Sequence, residues 1–315
     1  MPLIKRNSFL LLQKFLFILV AALILLSPWF ISPEALASGL VFGLVIGNPF
    51  QSISEKASKY VLQAAVVGLG FGIDLYQVID TGVSGLMYTA ISLCATMLLG
   101  LWLGKLFGIS PKLTHLISTG TAICGGSAIA AVAPAIKANA QDISVSLAVV
   151  FILNAVALFV FPVVGHVLGL SQQQFGMWAA IAIHDTSSVV GAAGRYGNEA
   201  LHLATTLKLT RALWIIPMVI ASSIFFKAGG AKVQVPLFIV FFILASVLVT
   251  FVPPALAIAP PILFIAKRGL LLSLFLIGAN LNRTTLRSIS AKPFYQGLIL
   301  WLLIAVGSLA AVIIL

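Results

Sequence analysis

His184-Asp185-Thr186-Ser187-Ser188 interrupts an otherwise apolar stretch. Lys208 and Arg211 stand three residues apart in Leu207–Trp214, also within apolar sequence. Ionisable groups inside a membrane span are costly and mark functional sites, and residues spaced i, i+3 share one helix face. Asp185 is the one carboxylate well inside an apolar run, so it can neutralise only one of the two cations. The positive charge left over, with the hydroxyls of Ser127, Thr186, Ser187 and Ser188, suits a small anionic solute. His184, whose imidazole titrates near neutral pH, or Asp185 would then carry the coupling proton. A second polar break, Gly125-Gly126-Ser127, lies inside the apolar run Ser118–Ala130. In hydrocarbon every backbone N–H and C=O needs a partner within the protein, so a glycine-rich break is tolerated where it lines a cavity or binds something. Broken spans of this kind form transporter sites, and the exposed amides of their half-helices favour negative charge. Two plainer readings compete: close helix packing through the small residues 125–128, and a buried Asp185–Arg211 ion pair that clamps two helices. The clamp leaves Lys208 and His184 unexplained.

Other chemistries fit less well. His184, Asp185 and Ser187 suggest a hydrolase triad, but neighbours on a helix point about 100° apart and cannot align unless the segment is unwound. Gly70-Phe-Gly-Ile-Asp74 has one residue too many for an intramembrane aspartyl protease motif and lacks a second facing carboxylate; Asp74 and Asp80 are expected to flank an extracytoplasmic turn. Cys94 and Cys124 both lie within spans, which implies no disulfide framework, and Cys and His show no metal-ligand spacing. No Walker motif is present. The expectation is a transporter and not an enzyme, with no cofactor or metal beyond a coupling proton or sodium ion.

The elements that carry these residues follow from composition. Charged residues make up 8% of the 315-residue chain and hydrophobic ones 61%, with a mean hydropathy of +1.17, against about 25% charge in a soluble domain. Counting apolar runs as spans gives eleven, at about 9–31, 34–47, 58–73, 82–107, 112–136, 143–168, 174–193, 199–226, 234–252, 260–281 and 294–315, of which the second, third and tenth are short or interrupted. Residues 1–315 therefore read as a single all-α, polytopic membrane domain. With the N-terminus in the cytoplasm, Lys5, Arg6, Lys56, Lys59, Lys105, Lys112, Lys227, Lys232, Arg283, Arg287 and Lys292 fall on cytoplasmic loops. Only Lys137 and Arg195 then fall clearly outside. This asymmetry sets a cytoplasmic N-terminus, an extracytoplasmic C-terminus and an inner-membrane location. It also explains the net charge of +11 as topology, with the lipid bilayer as partner and no nucleic acid. Ala35-Leu36-Ala37 resembles a signal cleavage site, but the run from Phe15 to Ile31 is long for a signal core, so a retained first helix is expected. Homo-oligomerisation is left open.

The stretch Gly120–Val132, Asn154 with Phe161-Pro162, Ala182–Val189 and Lys208-Leu-Thr-Arg211 together resemble the bacterial family named for sulfate export. Order and spacing agree from about residue 35 onward, most closely over 118–218. The resemblance implies secondary transport of sulfate or a related sulfur oxyanion, with a runner-up of sodium/proton antiport without an oxyanion. That family is similar to sodium/proton antiporters and bile-acid symporters, which implies two inverted five-helix repeats with broken, crossing fourth helices. Here these would be 32–170 and 171–315, after an extra first helix at 1–31. The first crossing helix would hold Gly125-Gly126 and the second Ser273–Leu281, broken at Gly278 and Asn280. A weaker match, four identities in twelve between Ala122–Ala133 and Ala182–Ala193, has an offset of 60 and conflicts with inversion; it reads as composition or convergence of two breaks.

Overall fold

The computed structural model describes residues 2–27, 32–226, 237–280 and 290–314. Lys227, Lys232, Arg283, Arg287 and Leu315, used above to argue topology, lie outside the described residues. Among those residues the chain is all helix, without strands. The helices are α1 (Pro2–Leu26), α2 (Ser32–Val41, running into a π turn at Phe42–Ile46), α3 (Gln51–Leu69), α4 (Leu75–Leu106), α5 (Pro111–Ala122), α6 (Gly126–Ala135) and α7 (Ala140–Val167). There follow α8 (Gln172–Ala182), α9 (Thr186–Tyr196), α10 (Asn198–Ala212), α11 (Ile215–Phe225), α12 (Leu237–Phe251), α13 (Pro253–Asn280) and α14 (Ala291–Ile314). Of the two residues expected to flank a turn, Asp74 directly precedes α4 and Asp80 sits inside it.

Among the described residues, five helical stretches are long and apolar enough to cross a membrane: Met87–Leu106, Gln141–Val167, Asn198–Phe225, Pro253–Asn280 and Ala291–Ile314. Leu10–Leu26, Glu34–Ile46, Gly126–Ala135 and Leu237–Phe251 are shorter apolar helices. The runs 112–136 and 174–193 are each cut into two half-helices, so neither half reaches the ~20 residues a crossing needs.

The helices group into two units. One comprises residues 1–75 and 238–286. Its centre is α13, packed on α2 and α3. Gly39 of α2 lies against the Phe275 carbonyl, and Gly278 of α13 lies against the Leu36 carbonyl. Each glycine thus clears the other helix's backbone, the close approach that small residues permit. This corrects the break expected at Gly278, through which α13 runs unbroken because Gly278 serves packing; Asn280 is its last residue, and Leu281 lies outside the described residues. Asn280 instead caps a polar knot, its Oδ1 accepting from Ser54 Oγ (2.5 Å) and Asn48 Nδ2 (3.1 Å). Phe17 of α1 packs edge-on to Phe42 and Phe50 at 5.2 and 5.5 Å. Pro253 and Pro254 end α12, since proline lacks the N–H that would continue it and disfavours a helical residue before it.

The other unit comprises residues 76–237 and 287–315 and holds every candidate site residue. Within it α10 packs on α8 and α9, α7 packs on α5 and α9, and α14 lies along α5, α7 and α8. Sequence sets the starts. Ser110 accepts from Leu113 N–H ahead of Pro111 at the head of α5, and Ser171 with Gln174 forms a capping box on α8. Pro217, whose ring crowds the carbonyl four residues back, accounts for the interruption between α10 and α11.

Candidate functional site

The site grows out of two helix breaks with matching boundaries. α5 ends at Ala122 and α6 begins at Gly126; α8 ends at Ala182 and α9 begins at Thr186. Both pairs of boundaries differ by the same 60-residue offset as the weak sequence match. The first break turns at Gly125, whose φ of +66° with ψ of −126° is open to glycine and strained for other residues. The second turns through residues 183–185, with Ile183 and Asp185 in extended backbone. The breaks touch: a Cβ built on Gly125 would stand 3.3 Å from Asp185 Cβ and 3.2 Å from Val150 Cγ1.

A broken helix exposes carbonyls at one end and amides at the other, and burial demands a partner for each. On α5, Ile123 N–H and Gly125 N–H close onto the Thr119 and Gly120 carbonyls. The next two carbonyls take Arg211: Nε donates to Ala122 O (2.6 Å) and one Nη to Thr121 O (3.3 Å). On α8, Ile183 N–H closes onto Ala179 O. The other Nη of Arg211 donates to Ala180 O (3.3 Å) and Ile181 O. Lys208 Nζ donates to Ile183 O (2.6 Å) and Ala180 O (3.3 Å), and Trp301 Nε1 donates to Ala182 O (3.0 Å). Lys208 and Arg211 are both 0% exposed. They tie the carbonyl ends of α5 and α8 together and set two positive charges against the negative ends of two helix dipoles.

Asp185 is engaged locally. Its carboxylate accepts from Ser187 N–H (3.0 Å) and Ser187 Oγ, capping α9. Among the described residues neither cation forms an ion pair with it, so the anticipated Asp185–Arg211 clamp is replaced by a cation-to-carbonyl clamp. The segment is unwound, as a triad would need, yet both ring nitrogens of His184 are without a partner, and no His–Ser bond forms. His184 is 1% exposed and lies near Trp301, ring centroids 6.4 Å apart. Thr186, Ser187 and Ser188 are buried in the first turn of α9. Gly126 is half-buried and Ser127 exposed at the head of α6.

Five residues received no role from the sequence, three of them at the breaks and two, Lys267 and Arg268, in the other unit. Asn154 Oδ1 accepts from Asp185 N–H (3.0 Å), while its Nδ2 has no partner. Cys124 is buried in the first break, between α5 and α6. Trp301 holds Ala182. Lys267 and Arg268 sit at the middle of α13, with Arg268 5.3 Å from the Phe264 ring. A polar or cationic residue inside an apolar run was the available signal for Asn154, Lys267 and Arg268; nothing in the sequence distinguished Trp301 from a packing tryptophan.

Comparison with known proteins places this helical membrane chain among others of its kind. It is 50% identical over 288 residues to a UPF0324 membrane protein of Bacteroides thetaiotaomicron, covering 90% of this chain and 87% of that one. To a UPF0324 membrane protein of Porphyromonas gingivalis it is 50% identical, covering 91% and 88%. To one of Bdellovibrio bacteriovorus it is 44% identical, covering 94% and 93%. No solved structure matches. The family described as conserved hypothetical protein 698 matches residues 9–297. With the break residues and the buried cations all inside that span, the chain belongs to this family, the UPF0324 membrane proteins.

Proposed function

We propose that this protein is a secondary active transporter that moves a small anion, with sulfate and related sulfur oxyanions as first candidates, across the inner membrane. One observation carries the reading: two half-helix breaks meet inside an apolar unit, and their backbone ends are met by buried charge. Roughly half a charge resides at each helix end. Lys208 and Arg211 offset the two carbonyl ends, and Asp185 answers the amide end of α9; a net positive potential is left around the breaks. The two cations act through that potential, since their N–H groups are engaged by carbonyls. His184 and Asp185 carry the coupling proton, or Asp185 holds a sodium ion. Thr186, Ser187 and Ser188 line the α9 side of the path. Eleven crossings with the N-terminus in the cytoplasm account for the charge asymmetry.

A second reading, sodium/proton antiport without an oxyanion, is favoured by the engagement of every Arg211 nitrogen with backbone. One experiment separates the two. Purified protein in proteoliposomes is assayed for flux of labelled sulfate, sulfite, thiosulfate, an alkylsulfonate and a carboxylate under imposed proton and sodium gradients. Anion flux driven by a gradient supports the proposal. Proton–sodium exchange with no anion flux supports the second reading, and a tight, inert vesicle refutes both.

A further inference from the structure

The 60-residue equivalence of the two breaks pairs Asp185 with Gly125, and the chemistry at the two positions differs. At α9 a carboxylate from the chain sits at the helix head and accepts from Ser187 N–H. At α6 the equivalent residue has no side chain, so the amides of Gly126 and Ser127 meet no carboxylate. The head of α6 is accessible, with Ser127 exposed and Gly126 half-buried. A second, independent feature lies just ahead of it. α7 passes Gly126 at Leu147 and Phe151 and Gly125 at Val150. One turn further along α7 comes Asn154, 3% exposed, with an unpartnered Nδ2 donor. Its Oδ1 is fixed on Asp185 N–H, the residue Gly125 packs against, which holds the amide beside the meeting point of the two breaks. Unpaired buried donors of this kind are rare and call for a partner.

We infer that the head of α6 is an oxyanion subsite, in which the guest's oxygens take the place that the Asp185 carboxylate takes at α9. Gly126 N–H, Ser127 N–H and Ser127 Oγ donate from one side and Asn154 Nδ2 from the other. The guest is a small anion with at least two oxygens on one centre, a sulfur oxyanion or a carboxylate, because such a group can set one oxygen against the Gly126 and Ser127 amides and another toward Asn154 Nδ2. Halides lack that geometry and bind weakly. This inference rests on the anion-transport reading above and assigns its contact residues.

The test is anion binding by the full-length protein in detergent, read as the rise in melting temperature with sulfate, thiosulfate, methanesulfonate, acetate and chloride at equal ionic strength. Ser127→Asp supplies the missing carboxylate at a helix head that tolerates it, and is expected to weaken oxyanion binding by about tenfold or more. Ser127→Ala weakens it by about two- to tenfold. Ser171→Asp, a charge added at the exposed head of α8, leaves it unchanged. Should Ser127→Asp fail to fold, Ser127→Cys in a Cys94→Ala background gives a second readout, with saturating sulfate slowing alkylation of the new thiol. Oxyanion binding that is the same in Ser127→Asp as in the unaltered protein overturns the subsite and leaves anion transport standing, as does alkylation at the same rate with and without sulfate. An unaltered protein that binds none of the anions, or chloride as well as sulfate, overturns the subsite too, and the absence of all binding removes the transport reading with it.

Discussion

Replacing Arg211 by methionine keeps the length and apolar stem of the side chain and removes its guanidinium. The Thr121, Ala122 and Ile181 carbonyls then lose the one side chain that reaches them, while Ala180 keeps Lys208. A buried acceptor left without a partner costs about 1–3 kcal/mol, so three of them cost about 3–9 kcal/mol, and rearrangement of the break draws the result toward the lower figure. For a large domain each kcal/mol moves the melting temperature by about 2 °C or more, which sets the expected drop at about 6 °C or greater. Arg211→Lys keeps the charge beside the helix ends but cannot span both breaks, and should fall between. The assay is thermal unfolding in detergent followed by tryptophan fluorescence, for which Trp178 and Trp301 are buried reporters in the same unit. A methionine variant melting within about 1 °C of the unaltered protein would show that the carbonyls do not depend on Arg211, and the clamp would have to be abandoned.

Other expectations follow from the same geometry. Gly39→Ala places a methyl against the Phe275 carbonyl and forces α2 from α13; the melting temperature should fall by several degrees, and Gly108→Ala in the loop before α5, with open space around it but a φ of +63°, by less. Asp185→Asn keeps an acceptor for Ser187 N–H, so the variant should fold and bind the anion, while the pH dependence of its transport flattens; a full pH response in flux assays would clear Asp185 of proton coupling. A reporter fused after Leu315 should read extracytoplasmic and one placed between Lys227 and Lys232 cytoplasmic, and agreement between the two would sink the eleven-span topology.

Both breaks are legible in the sequence because polar or glycine-rich residues interrupt apolar runs long enough to be helical. The partners of the charged groups are not. Asp185 lies two residues before Ser187, and a contact closed over so short a loop fixes little chain, so it prevails over a distant ion pair with Arg211. Which carbonyls Lys208 and Arg211 reach depends on where α5 and α8 end in space, and no spacing rule contains that. Glycine is ambiguous for a similar reason: Gly125 is needed for a backbone angle and Gly278 for a close crossing, and composition alone treats them alike. The repeat at an offset of 60 was visible as four identities, too few to outweigh composition until both breaks adopt matching boundaries.

The clamp also has a consequence for biogenesis. Arg211 lies 89 residues after Ala122 and 30 after Ile181, so a growing chain threads α5 and α8 before the residue that satisfies their ends exists. At roughly 5–20 residues per second of synthesis, the end of α5 waits about 4–18 s. During that interval two clusters of bare carbonyls cannot settle in lipid and must stay hydrated or be sheltered by the insertion machinery. Arrival of α10 is therefore a checkpoint, and nascent chains that stall before Lys208 are natural substrates for membrane quality-control proteases.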